Sequence, residues 1–172
     1  LYNIPSKINA FNVYKGKAQL IGISEEVTLP DFESLTETLS GPGILGEIDD
    51  PTLGQFASME IEIPFRTMDA DLFILSDDIS SVTITLRGAI QYTENETGAT
   101  DFKQMRVVVR GKNKGITGGK LKNGAGTASS IKLEVLYILI EIGGITEIEL
   151  DKLNFIYKVH NQDLLEKVRK MC

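Results

Sequence analysis

The run GKNKGITGGKLKNGAGTASS, residues 111–130, comes nearest to a known chemistry, the cradling of a phosphate. Backbone N–H groups of a glycine-rich loop can hold phosphate oxygens while a lysine neutralises them. The spacing does not fit. A Walker-type loop needs glycine, four residues, then Gly-Lys-Ser/Thr; here Lys114 stands at the first glycine position and Leu121 at the hydroxyl position. The next regular element is a strand from Ile131, so no helix N-terminus is aimed at a phosphate. Lys112, Lys114, Lys120 and Lys122 suit a nucleic-acid backbone electrostatically. Yet the run has no aromatic side chain on which a base can stack.

The other reactive types are equally dispersed. His160 is the sole histidine, which leaves no histidine-rich metal site and no second imidazole for a catalytic triad. Asp49-Asp50 and Asp77-Asp78 resemble pieces of a calcium loop without its spaced ligands or closing Glu. Glu60 and Glu62 fall on the solvent side of an alternating strand rather than forming an acid/base pair. Cys172, the only cysteine, has no internal disulfide partner. No catalytic residue, metal or cofactor is therefore expected, and the chain reads as something other than an enzyme.

Charge is more informative than chemistry. Residues 1–101 carry 17 acids and 5 bases, residues 102–133 carry 8 bases and no acid, and the remainder carries 7 acids and 5 bases. An acidic chain of net charge −6 thus holds one basic run. Such separation suits either nucleic acid or a heterologous contact between copies, the basic run of one meeting the acidic surface of the next, and the plainer alternative is a solvated basic loop. At 172 residues and 42% hydrophobic content, one domain with a sizeable core is expected over 1–172. No run approaches the ~18–20 apolar residues that a membrane span needs.

The elements that position these residues are mostly strands. FNVYKGKAQLIG (11–22) predicts a hairpin turning near Gly16-Lys17, and ISEEVTLPDFESLTETLSG (23–41) an extended stretch with an edge-type proline. GPGILGEIDDP (41–51) reads as an acidic loop. ASMEIEIPF (57–65) alternates, with Met59, Ile61 and Ile63 on one face. Thr67 is placed to cap a short helix, MDADLFILS, in which Met68, Leu72 and Leu75 share a face. Residues 81–111 read as a long hairpin over a loop at 94–101, and 162–171 as a second short helix.

IKLEVLYILIEIGGITEIEL (131–150) predicts another hairpin, turning at Gly143-Gly144. Pairing across that turn sets Leu139 against Ile148 and Tyr137 against Leu150 as the core face. Ile140 then faces Glu147, and Ile138 faces Glu149. The rising strand is apolar on both faces at its tip, through Leu136, Ile138, Ile140 and Ile142. One core covers one face, so the other calls for a neighbour.

NVYKGKAQLIGISEEVTLP, GPGILGEIDD, SMEIEI, LRGAIQYTENETGATDFKQMRVVVRGK and the run from SSIKLEVLYILIEIGG to LLEKVRK follow one another in a familiar order. From about residue 8 to 170 the series resembles the major tail tube proteins of contractile-tailed phages and R-type phage-tail-like bacteriocins. The basic 111–122 segment departs from the family's more acidic, mixed-charge loop.

The resemblance implies a mainly β fold, an antiparallel β-sandwich or barrel-like domain with a long hairpin and one or two short helices. It implies hexameric rings stacked into the inner tube of a virion tail or bacteriocin particle, made in the host bacterial cytoplasm. Partners would be the chain itself, a sheath protein, hub, spike or baseplate proteins and a tape measure protein, with DNA only transiently in the lumen. Leu136, Ile138, Ile140, Ile142, the four lysines above, Glu47, Asp49 and Asp50 are the candidate subunit-interface residues. Glu147 and Glu149 are the candidate lumen-facing ones. A monomeric all-β binding module is the competing reading, although 7% aromatics and no tryptophan suit sugar stacking poorly. A type VI secretion-like tube remains within the first class.

Overall fold

The computed structural model describes residues 3–172, and they are mainly antiparallel β, as expected. In chain order the strands are β1 (Asn3–Lys15), β2 (Ala18–Leu20), β3 (Ser34–Ser40), β4 (Glu47–Phe56), β5 (Glu60–Phe65), β6 (Val82–Glu94), β7 (Thr100–Thr117), β8 (Ser129–Ile142), β9 (Ile145–Asp151), β10 (Ile156–Val159) and β11 (Gln162–Asp163). Two short helices, α1 (Ala70–Ile74) and α2 (Glu166–Met171), complete the elements. Nine strands form one sheet in the order β11-β10-β9-β8-β7-β6-β1-β2, with β5 also paired to β8. The chain just after β2 runs along the outer edge of β5, where Arg66 N–H donates to the Gly22 carbonyl at 2.9 Å and Thr28 bridges Glu62. The sheet therefore curls around its core without closing into a barrel.

Alternation puts the core on the inside of that curl. Met59, Ile61, Ile63 and Phe65 from the β5 region pack with Ile84, Val109 and Leu133. Leu72 and Leu75 from the α1 region plug one end, both fully buried. Each such side chain contributes about 1.5–3 kcal/mol of transfer free energy. Helix α1 is shorter than the sequence predicts and is capped by Asp69 rather than Thr67. The Asp69 carboxylate accepts from the Ala70 N–H at 2.7 Å, while the Thr127 hydroxyl takes the Met68 N–H and holds that residue outside the helix.

The face problem of the 131–150 hairpin has a specific solution. Arg110 on β7 pairs with Tyr137, but the next β7 residue, Gly111, pairs with Val135, which leaves Leu136 as a bulge. One extra residue flips the parity of everything beyond it. Ile131, Leu133 and Val135 point into the core before the bulge, and Ile138 points into it afterwards, with Ile140 packed against it. The expected pairs are thereby reversed: Ile138 faces Leu150 and Ile140 faces Ile148, whereas Leu139 faces Glu149 and Tyr137 faces Asp151. The bulge lies where β8 exchanges neighbours. Val135 N–H donates to Met59 beside β5 at 2.8 Å, and the Leu136 carbonyl accepts from Lys152 beside β9 at 3.0 Å. The turn itself is as expected, with φ of 60° at Gly143 and 81° at Gly144, a geometry suited to glycine.

Three other segments differ from expectation. The acidic stretch at 41–51 is only partly a loop, because Glu47, Asp49 and Asp50 belong to β4 and pair with β3 as a separate two-stranded ribbon. The basic segment is largely strand, since Lys112 and Lys114 lie on β7. Lys120 and Lys122 sit in a loop tied down by Lys120 N–H to Thr127 and Thr127 N–H to Arg66, each at 2.9 Å. The final helix begins at Glu166, because Gln162 and Asp163 are already paired with β10.

Candidate functional site

The face of the large sheet turned away from the core carries most of its interacting charge. Cross-strand partners share a face, so the register assigns its rungs. Arg87 on β6, Arg106 on β7 and Glu141 on β8 form one rung. Thr85, Val108, Leu139 and Glu149 form the next, and Thr83, Arg110, Tyr137 and Asp151 the third. Arg106 binds Glu141 at 2.7 Å, and the pair holds the Glu141 carboxyl below its usual range. Arg110 lies 3.6 Å from Asp151 and stacks 5.0 Å from the Tyr137 ring centroid. The Tyr137 hydroxyl donates to Glu149 at 3.1 Å, and its pKa is pushed up to about 12 by burial and by the Glu149 charge. Farther along β7, Lys114 reaches Glu60 at 3.1 Å and Glu134 at 3.4 Å.

Three cations of the basic run thus find their acids inside the same chain. Bringing β7 beside β8, β9 and β5 therefore neutralises three of the eight bases of the run. Among the described residues, Lys112, Lys120 and Lys122 make no ion pair.

The candidate interface residues separate in space. Ile138 is fully buried in its own core and has no surface to offer a neighbour. Leu136, Ile140 and Ile142 are half-buried. Glu47, Asp49 and Asp50 line the exposed ribbon, where Asp49 accepts from the Thr38 hydroxyl at 2.9 Å. Glu147 and Glu149 do not act as a pair. Between Ile140/Ile148 and Glu141/Thr146 the register skips Glu147, whose carboxylate instead lies 2.9 Å from His160 Nδ1. Only Glu149 belongs to the rungs above. The sequence reading missed Arg87, Arg106, Arg110 and Asp151, and it set Glu141 on the opposite parity from Glu147 and Glu149. The alternation Arg106-Val107-Val108-Val109-Arg110 carried the signal, since both arginines lie opposite in parity to the buried Val107 and Val109.

The ribbon is the second conspicuous feature. Leu35, Leu39, Ile48 and Leu53 are exposed on it, and Leu45 at its turn is completely so. At its base the register jumps from Ser34/Phe56 to Thr36/Pro51. Gly54 sits in that jump with φ of +77°, and a Cβ there would come within 2.7 Å of the buried Leu165 side chain at the start of α2. The body also offers an apolar groove of about 350 Å³, lined by residues including Ile8, Phe11, Val27, Leu86 and Met105. Beyond Asn12 towards the N-terminus, β1 pairs with β6 on one side only, which leaves an open strand edge.

Among the described residues there is no cluster able to hold a metal ion, and no helix long and apolar enough to cross a membrane. What the arrangement offers is exposed surfaces and strand edges. The family described as phage tail tube protein FII matches residues 5–171. The tail tube protein of Escherichia phage P2 is 30% identical over 173 residues, spanning 97% of this chain and 96% of that relative. A match over nearly the whole chain, on an antiparallel β fold rich in exposed edges, makes this chain a member of the phage tail tube protein family, structural components of the tail.

Proposed function

We propose that the whole chain acts as one tail-tube domain that assembles into hexameric rings, stacked as the inner tube of a contractile phage tail or a phage-tail-like bacteriocin. The observation that carries this reading is the β3–β4 ribbon. An isolated two-stranded ribbon is marginal in water, and this one shows four leucines and Ile48 to solvent. A neighbouring copy covers them. The open edge of β1 has the same need, because an unpaired strand is a template for another chain.

In this reading the ribbon, with Glu47, Asp49 and Asp50, and the unpaired lysines Lys112, Lys120 and Lys122 supply opposite signs to contacts between copies. Leu136, Ile140 and Ile142 add apolar area, and Lys114 contributes through its acids. The open face of the large sheet, Glu149 included, lines the bore, with Glu147 at its margin. Sheath protein surrounds the tube, a hub with its spike and baseplate lies at the tip, and tape measure protein and then DNA occupy the lumen of a phage. Assembly takes place in the host bacterial cytoplasm.

Negative-stain microscopy of purified protein tests the reading. Rods or stacked rings about one subunit thick are expected. Dispersed monomers at every concentration and salt tried would instead favour a monomeric all-β binding module.

A further inference from the structure

The rung formed by Arg87, Arg106 and Glu141 has an unusual composition. Arg87 and Arg106 are directly opposite across β6 and β7, a like-charge pairing that destabilises a sheet when left uncompensated. Both line a polar recess of about 230 Å³, together with Gln104, Glu141 and Gly144. Two guanidinium groups and an amide around a small recess match the oxygens of a phosphodiester, for which arginine is the preferred planar partner. The recess already has an anion. Glu141 Oε2 accepts from Arg106 Nε at 2.8 Å and lies 2.7 Å from Nη2, so one carboxylate oxygen occupies the guanidinium edge that a phosphate oxygen would otherwise take. Arg87 has no carboxylate partner among the described residues and is instead stacked 5.6 Å from the Tyr14 ring centroid.

We propose that Glu141 is the resident anion of a two-arginine phosphate-binding recess, and that it keeps the recess closed to the backbone of a passing nucleic acid. The inference rests on the open sheet face lining the bore, as argued above. A tube that carries a polyanion must not hold it, and each arginine left unmasked adds a salt-sensitive phosphate contact. A copy of the recess in every subunit multiplies the effect along the tube, because tethered weak contacts act together. Masking by a carboxylate retains arginine's stacking and cross-strand packing while removing its adhesiveness. Arg110 is masked in a weaker form, at 3.6 Å from Asp151.

The test compares the wild-type protein, Glu141→Gln and the double variant Arg106→Gln/Glu141→Gln, each as dispersed subunits and as tubes checked by microscopy. The probe is a fluorescent single-stranded oligonucleotide of mixed sequence. At low salt, Glu141→Gln should bind it at least about tenfold more tightly than wild type, and the gain should vanish as salt rises. The double variant should return to the wild-type level. Glu141→Thr removes the same charge with a residue suited to strands, and should reproduce the gain if the Gln variant folds poorly. Equal binding by wild type and both single variants overturns the proposal, as does a double variant that binds like the single. A wild-type protein that forms no tubes overturns the tube reading instead, and the subunit measurements still decide whether Glu141 masks a phosphate site.

Discussion

Tyr137 shows how much one side chain on the open face depends on its neighbours. Its ring lies under Arg110 and its hydroxyl donates to Glu149, while burial and that carboxylate raise its pKa from an ordinary 10.0 to about 12. The folded protein therefore keeps a proton that the unfolded chain releases near pH 10. The stability contributed by this group is complete below about pH 10 and is lost as pH rises towards about 12. Denaturant midpoints measured from about pH 9 to 11.5 should fall more steeply for wild type than for Tyr137→Phe. Parallel curves would show that the phenol is not perturbed. On the same scale Glu147 and Glu149, two residues apart, have separate surroundings: one meets His160 beside a bulge and the other meets Tyr137 on the sheet.

The bulge at Leu136 is the element-scale device that makes β8 usable over its full length. Without it, Tyr137 and Leu139 would turn inward while Ile138 and Ile140 faced outward with the charges. Deleting Leu136 should therefore destabilise the protein by more than a single buried Leu or Ile truncation, which costs about 2–5 kcal/mol. Leu136→Ala keeps the parity and should cost about 1 kcal/mol. Equilibrium unfolding of the two variants separates the effects, and similar losses would mean that parity is not what the bulge maintains. The base of the ribbon has a comparable device, since Gly54 makes room for Leu165 and so seats β4 against the start of α2.

At the scale of the whole molecule, the curled sheet has a buried apolar interior and a ribbon that is seated only at its base. The ribbon between Thr36 and Pro51 depends chiefly on its own ladder and carries exposed apolar side chains. Its amides should exchange rapidly in the free subunit through local opening and slow by at least about tenfold on assembly, equivalent to roughly 1.4 kcal/mol. The core strands β6 and β8 should be slow in both states. Ribbon amides equally protected in subunit and tube would mean that assembly does not cover the ribbon.

Some of this was legible in the residues themselves. Period-two alternation at Met59, Ile61 and Ile63 specifies a half-buried strand without reference to any partner, and glycines at 16, 143 and 144 mark turns that need positive φ. These are local properties of the backbone and its nearest side chains, so sequence carries them directly. The basic run was equally visible as a composition. Where its charges go was not, because Arg106, Arg110 and Lys114 meet Glu141, Asp151, Glu60 and Glu134 only after strands distant in sequence lie side by side. The inward set of β8 was hidden for the same reason. Straight alternation placed Tyr137 and Leu139 in the core, whereas the change of neighbour from β5 to β9 inserts Leu136 and turns Ile138 inward. Sequence determined most of the strands and what they carry, though not the start of β4 in the acidic stretch or the far end of β7 in the basic one; which face each residue shows, and which charges remain free, depended on register between strands, and register is a property of the assembled sheet.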